Sequence, residues 1–153
     1  MGTYAAQTAV TSEKSRGEIE RTLTRYGAEA FAYGWQESSA MIGFQAHSRS
    51  IRFVLPLPDR ADREFTRTPT GRQRSSGEAE KAYEQAVRQK WRALALVIKA
   101  KLEAVDAGIV TFEDEFAMHM VLPDGRTVAQ HVLPAIDSAY STGSVRPLLQ
   151  IEA

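Results

Sequence analysis

Hydrophobic and polar positions follow two different periods along the first third of this chain. Ser15 with Glu18 three residues later forms a capping box, in which each side chain satisfies a backbone donor of the other. Ile19, Leu23 and Tyr26 follow at helical spacing, and Gly27 stands where a left-handed cap belongs. The spacing predicts a short amphipathic helix from Ser12 or Ser15, with Arg21 and Arg25 off its apolar face. Residues 1–11 are small, polar and aperiodic, and read as a loose leader.

The period then falls to two. Phe31, Tyr33 and Trp35 alternate with Ala30, Ala32 and Gly34. Ala40, Ile42, Phe44 and Ala46 alternate with Met41, Gly43 and Gln45. Ile51, Phe53, Leu55 and Leu57 form a third alternating run, ended by Pro56 and Pro58, which cannot donate to a ladder. The connections at 36–39 and 47–50 are short and polar, so adjacent antiparallel pairing is expected. The predicted sheet is a three-stranded meander.

Residues 59–77 show no period and carry Pro69, Gly71 and Gly77. At that length the segment exceeds the ~12–15 residues usual for a structureless loop, so it reads as functional or disordered, with a short edge strand around 65–68 as one option. From Glu78 to Ala107 neither Gly nor Pro interrupts a run of good helix formers. Tyr83, Val87, Trp91, Leu94, Ile98, Leu102 and Val105 mark one continuous apolar stripe. Such a helix is about 45 Å long, against a radius of gyration of about 15 Å for a compact chain of this size. It must span the molecule, project, kink or find a partner chain, and burial of the whole stripe within one chain looks difficult.

Two further helices are expected. Thr111 with Asp114 begins one, carrying Phe112, Phe116 and Met120. Thr127 with Gln130 begins the other, in which Pro134 predicts a kink or an early break. Pro123, Asp124 and Gly125 mark the turn between them. The expected architecture is α+β: an N-terminal helix, a three-stranded antiparallel meander, one long helix and two shorter C-terminal helices. One domain should occupy 12–142, with 143–153 as a tail.

Composition narrows the class. Of 153 residues none is cysteine, so disulfides and thiol chemistry are absent. No apolar run approaches the ~18 residues of a membrane span. Residues 1–10 lack a basic stretch followed by a long apolar one, which argues against a secretory signal. An intracellular, cytoplasmic protein with no cofactor is the expectation.

The balance of 19 basic and 19 acidic side chains hides an uneven layout. Residues 60–101 hold 11 basic and five acidic side chains, whereas residues 102–153 hold two and eight. The loop supplies Arg60, Arg63, Arg67, Arg72 and Arg74, whose planar guanidinium suits phosphate geometry. On the long helix Lys81, Gln85, Arg88, Arg92 and Lys99 fall near one line. A loop of arginines feeding a basic helix edge would track a nucleic-acid backbone, single strands included. A solvated amphipathic face is the plain alternative for the helix, and a disordered linker for the loop.

The row of Phe31, Tyr33 and Trp35 could stack bases, but core packing is favoured, because a sheet must bury one face. Glu115 and His119, at i and i+4, have a workable ligand spacing, and His131 with Asp124 would have to supply a second pair. No catalytic or nucleotide-binding motif is present, so no residue is assigned to catalysis and no metal is expected. Glu113, Asp114 and Glu115 occupy a helix's first turn, where negative charge is stabilised by the helix dipole.

Several stretches together resemble a family of small proteins encoded in phage and prophage genomes. They are Arg25-Tyr26-Gly27-Ala28, Tyr33-Gly34-Trp35, Lys90-Trp91-Arg92, the run from Ile98 to Glu103, and the run from Val121 to Val128. The resemblance covers roughly residues 12–140. It implies an intracellular protein acting during infection, which handles nucleic acid or binds and redirects a host protein, and it assigns no residue a role.

Two functions therefore compete. The first is nucleic-acid binding through Arg63, Arg67, Arg72, Arg74, Arg88, Arg92 and Lys99. The second is a protein-interaction module, binding or inhibiting a host protein or pairing with a second copy, through Trp91, Leu94, Ile98, Leu102 and Val105 and the acidic C-terminal third.

Overall fold

The register of the sheet is set at a two-residue turn, where His47 and Ser48 both take positive φ, 53° and 61°. That handedness matches the right-handed twist of the flanking strands. It pairs Ala46 with Arg49 and propagates along β2 (Ser39–Ala46) and β3 (Arg49–Pro56). β1 (Ala30–Trp35) pairs antiparallel with β2, giving the order β1-β2-β3 and the expected meander. The computed structural model describes residues 2–148, with side chains from Ser12 onward.

One face of this sheet is the floor of the core. Ala40, Ile42, Phe44, Ile51, Phe53 and Leu55 alternate inward and are buried. Two long helices, α1 (Gly2–Arg25) and α3 (Ser76–Asp106), pack side by side over that face. α1 begins at Gly2 instead of Ser12 or Ser15, so residues 2–11 are helix where a leader was expected. Ser15 consequently lies inside the helix and caps nothing. Once a helix is nucleated, extension adds one hydrogen bond per residue fixed. Ala5, Ala6 and Ala9 favour extension, and no Gly or Pro lies between Gly2 and Gly17.

The long helix corrects a second expectation. Tyr83, Val87, Trp91, Leu94, Ile98 and Leu102 are all buried within the single chain, and Val105 is partly so. Trp91 meets the Tyr33 ring at 5.3 Å between centroids. The stripe is thus the centre of the core and is unavailable as the interaction surface assigned to Trp91, Leu94, Ile98, Leu102 and Val105. The sequence reading lacked the cover at the two ends of the stripe. At the first end Phe65, on the short helix α2 (Arg63–Thr66), packs edge-on against Tyr83 at 5.5 Å. At the other end stands α4 (Phe112–Phe116), whose Phe116 meets both Phe44 and Phe53 edge-on.

The segment 59–77 is therefore ordered, and its fold is a helical turn and a tight bend instead of an edge strand. Phe65 is buried, and Arg67 bridges to Gln73. A 3-10 turn, Ala117–His119, follows α4. Met120, expected to be helical, instead bridges Ile51, and the Val121 amide donates to the Ser50 carbonyl at 2.8 Å. This covers the outer edge of β3.

The last helix, α5 (Val128–Thr142), opens with the predicted box. Thr127 accepts from the Gln130 amide, and Gln130 Oε1 accepts from the Thr127 amide at 2.8 Å. Pro134 lies inside α5, and the helix continues to Thr142, so of the two expected outcomes, a kink or an early break, the early break does not occur. Residue 134 would normally donate to the Gln130 carbonyl. Arg126 Nη2 donates to that oxygen instead, at 3.0 Å.

Candidate nucleic-acid interface

α1 and α3 run in the same direction. α1 ends beside the start of β1, where Ala30 pairs with Gln45. α3 ends at α4, held by the Lys101–Glu115 ion pair at 3.0 Å, and Phe112 of α4 stacks on His47 at the β2–β3 turn. Both helices thus point toward the same end of the sheet. Their buried faces carry Ile19 and Leu23 on α1, and Val87, Trp91 and Leu94 on α3. Their outer shoulders leave a groove of about 710 Å³ between them.

Six cations line it: Lys14, Arg21 and Arg25 from α1, and Arg88, Arg92 and Lys99 from α3. Among the described residues Glu18 is the one carboxylate in the lining, and Ser15, Thr22, Gln85, Gln89, Ala95 and Leu96 complete it. All six cationic side chains are exposed. On each helix the three span 11 positions, about 16 Å at 1.5 Å per residue. The two rows thus form parallel rails of equal length.

Arg21 and Arg25 stand at i and i+4, as do Arg88 and Arg92. Like charges at that spacing destabilise a helix by about 0.2–0.5 kcal/mol per pair. Outside the groove four cations are ion-paired, Arg49 with Glu113, Arg60 with Glu80, Arg72 with Glu78 and Lys101 with Glu115, whereas others such as Lys81 and Lys90 are exposed with no ion pair among the described residues. Among the described residues Lys14, Arg21, Arg25, Arg88 and Arg92 form no ion pair, and Lys99 has only a 3.9 Å approach to Glu103. The groove gathers six exposed cations within one lining.

The structure divides the sequence-predicted contacts. Arg88, Arg92 and Lys99 come together as expected. Arg63, Arg67, Arg72 and Arg74 do not join them, because the loop consumes its own arginines. Arg74 Nε donates to the Arg67 carbonyl at 3.0 Å, Arg67 Nη1 reaches the Gly71 carbonyl at 3.4 Å, and Arg72 pairs with Glu78 at 3.2 Å. Arg63 sits in the first turn of α2, outside the groove lining. Arg60 pairs with Glu80 and covers the Tyr83 ring at 4.2 Å. The α1 row was missed in their place. Its signal was present, since Lys14, Arg21 and Arg25 repeat at helical spacing just as Arg88, Arg92 and Lys99 do.

The remaining candidates have structural occupations except Trp35, which stands 43% exposed beside Tyr33 and departs from the expected core packing of its row. Tyr33 lies between the Trp91 ring and the Arg16 guanidinium, which is 4.2 Å from its centroid, so it is packed and not offered to bases. His119 stacks on Phe53 at 4.1 Å, while Glu115 is taken by Lys101. Burial lowers the His119 pKa below its ordinary value of 6.5; Lys101 lowers it further, and Glu115 opposes both. His131 Nε2 meets Asp124 Oδ2 at 2.7 Å, which closes the turn before α5. The Arg126 amide holds the Asp124 carboxyl below the usual carboxylate range; desolvation opposes it, and the hydrogen bond to His131 adds a smaller lowering. Among the described residues no group of three or more His, Cys, Asp or Glu side chains could hold a metal ion. Nor is any described helix long and apolar enough to cross a membrane.

No family model, curated protein or solved structure gives a significant match to the chain.

Proposed function

We propose that this chain is a small intracellular accessory protein, phage-encoded as its sequence resemblance implies, that binds nucleic acid through the α1–α3 groove. The carrying observation is the pair of unneutralised cation rows in one groove of a chain whose net charge is zero. Helix rows of Arg and Lys bind phosphates and position a backbone without reading sequence. The repulsion within each row is the unfavourable term that phosphates would relieve. Fluorescence anisotropy with a labelled oligonucleotide at low salt tests the reading. Saturable binding at micromolar protein that falls steeply as salt rises is the expected result. No complex at low salt would refute it.

A protein partner is the second reading, moved from the buried stripe to α5. That helix exposes Leu133 and Tyr140, the latter at 89%. Its acidic character is slight, because Asp137 is its one carboxylate. Light scattering of the wild type against Tyr140→Ser tests for self-association there. A monomer at all concentrations would remove the second-copy version.

A further inference from the structure

Resting on the nucleic-acid reading, we infer that the groove takes one single strand by its sugar-phosphate backbone, at most about five nucleotides long, with the bases turned to solvent.

Three observations carry this. The first is width. The rails belong to two directly packed helices, whose axes lie about 8–10 Å apart in such contacts. A cleft of that kind accepts one backbone between its walls, and the second strand of a duplex would have to stand outside it.

Charge is the second. Six cations against Glu18 leave five net positive charges along about 16 Å. A single strand presents at most about five phosphates over that length, because about 3.4 Å is the rise of a fully stacked duplex strand and an unstacked backbone is more extended, whereas a duplex presents about ten. The groove's charge matches one strand.

The third is the lining. Sequence-tolerant single-strand sites usually add aromatic side chains on which bases stack. Here the lining beside the cations includes the half-buried Thr22 and Ala95 and the exposed Leu96, and among the described residues no aromatic one lines the groove. Tyr33 and Trp91 are packed on each other, and Tyr26, with the Arg25 guanidinium 5.9 Å from its ring centroid, is partly buried against the core. With nothing to stack upon, bases gain nothing by facing inward, whereas phosphates meet cations from both walls.

The test uses the full chain and three labelled probes at one low salt concentration: a ten-residue oligothymidylate, the same backbone made abasic, and a hairpin duplex of similar length. The expected result is that the abasic strand binds within about threefold of the oligothymidylate, while the duplex binds at least tenfold more weakly. A loss of tenfold or more on removing the bases would overturn the outward-base arrangement. A duplex that binds as tightly as the single strand would overturn strand selectivity. Either leaves groove binding intact, whereas failure of all three probes to bind refutes the underlying reading as well. The salt dependence gives an independent figure. Neutralising about three to five phosphates of a single strand predicts a slope of log affinity on log salt between about −2 and −3.5, and a slope shallower than about −2 would contradict the charge match.

Discussion

Arg126 Nη2 donates to the Gln130 carbonyl at 3.0 Å, filling the place of the amide hydrogen that Pro134 lacks. A guanidinium reaching forward over the first turn thus allows a proline inside a continuous helix. Arg52 braces the same turn from β3, donating to the Gly125 carbonyl at 2.9 Å and to Gln130 Oε1 at 3.4 Å.

Removing that donor should destabilise the fold by about 0.5–1.5 kcal/mol, the usual net worth of one hydrogen bond. Pro134→Ala restores a backbone donor to Gln130. In that background Arg126→Ala should cost less than half as much. Urea unfolding of the two single variants and the double variant measures the coupling, and additive effects would deny the compensation.

Phe65 anchors the arginine-rich segment under Tyr83. Phe65→Ala should cost about 3–5 kcal/mol, as other large-to-small changes in cores do. Arg67, Arg72 and Arg74 should then become rapid trypsin sites while the wild type resists cleavage there. Equal cleavage rates would show that the buried ring does not order the segment.

His119 supplies a pH dependence. Its native pKa is depressed, first by burial against Phe53 and then by Lys101. Below the ordinary histidine value the unfolded chain therefore binds a proton that the native state resists. Stability should be full above about pH 6.5 and fall as pH drops through the native pKa. Urea midpoints at pH 7.5 and 5.5 measure the slope, and His119→Gln should flatten it. Asp124, held low by the Arg126 amide and by His131, adds its loss only in the more acidic carboxylate range.

Charge reversals distinguish the groove from the loop. Arg92→Glu, or Arg21→Glu on the opposite rail, should weaken oligonucleotide binding at least tenfold at low salt. Arg63→Gln and Arg72→Gln should leave it within about twofold. The exposed groove residues make these variants tolerable to the fold, which circular dichroism would verify. The reverse pattern would return the site to the loop.

The periodic parts of the chain were legible from sequence. Alternation at residues 40–46 and 51–55 marked the buried sheet face, and the Tyr83-to-Leu102 spacing marked the long helix. Thr111 and Thr127 cap the helices that their spacing predicted. What escaped was whatever depended on one residue in an aperiodic stretch, or on a neighbour far along the chain. Phe65 is a single aromatic among charged residues, so no pattern revealed its burial. The first turns of α1 lack an apolar stripe to announce them. Three of the seven proposed contacts lie in the groove, and its other rail comes from α1, because helix adjacency is a tertiary fact. Pro134 looked like a break because its substitute donor, Arg126, lies eight residues upstream.

The two rails come from positions 14–25 and 85–99, with the whole meander between them in sequence. Neither helix by itself presents a two-walled groove, and an unfolded chain scatters its six cations. Any strand bound between the rails would therefore be linked to folding itself, stabilising the native state by about 2.7 kcal/mol at a hundredfold excess over Kd. Phosphate binding and tertiary order become one equilibrium. A lesion that separates α1 from α3, however far from the charged side chains, would abolish both together.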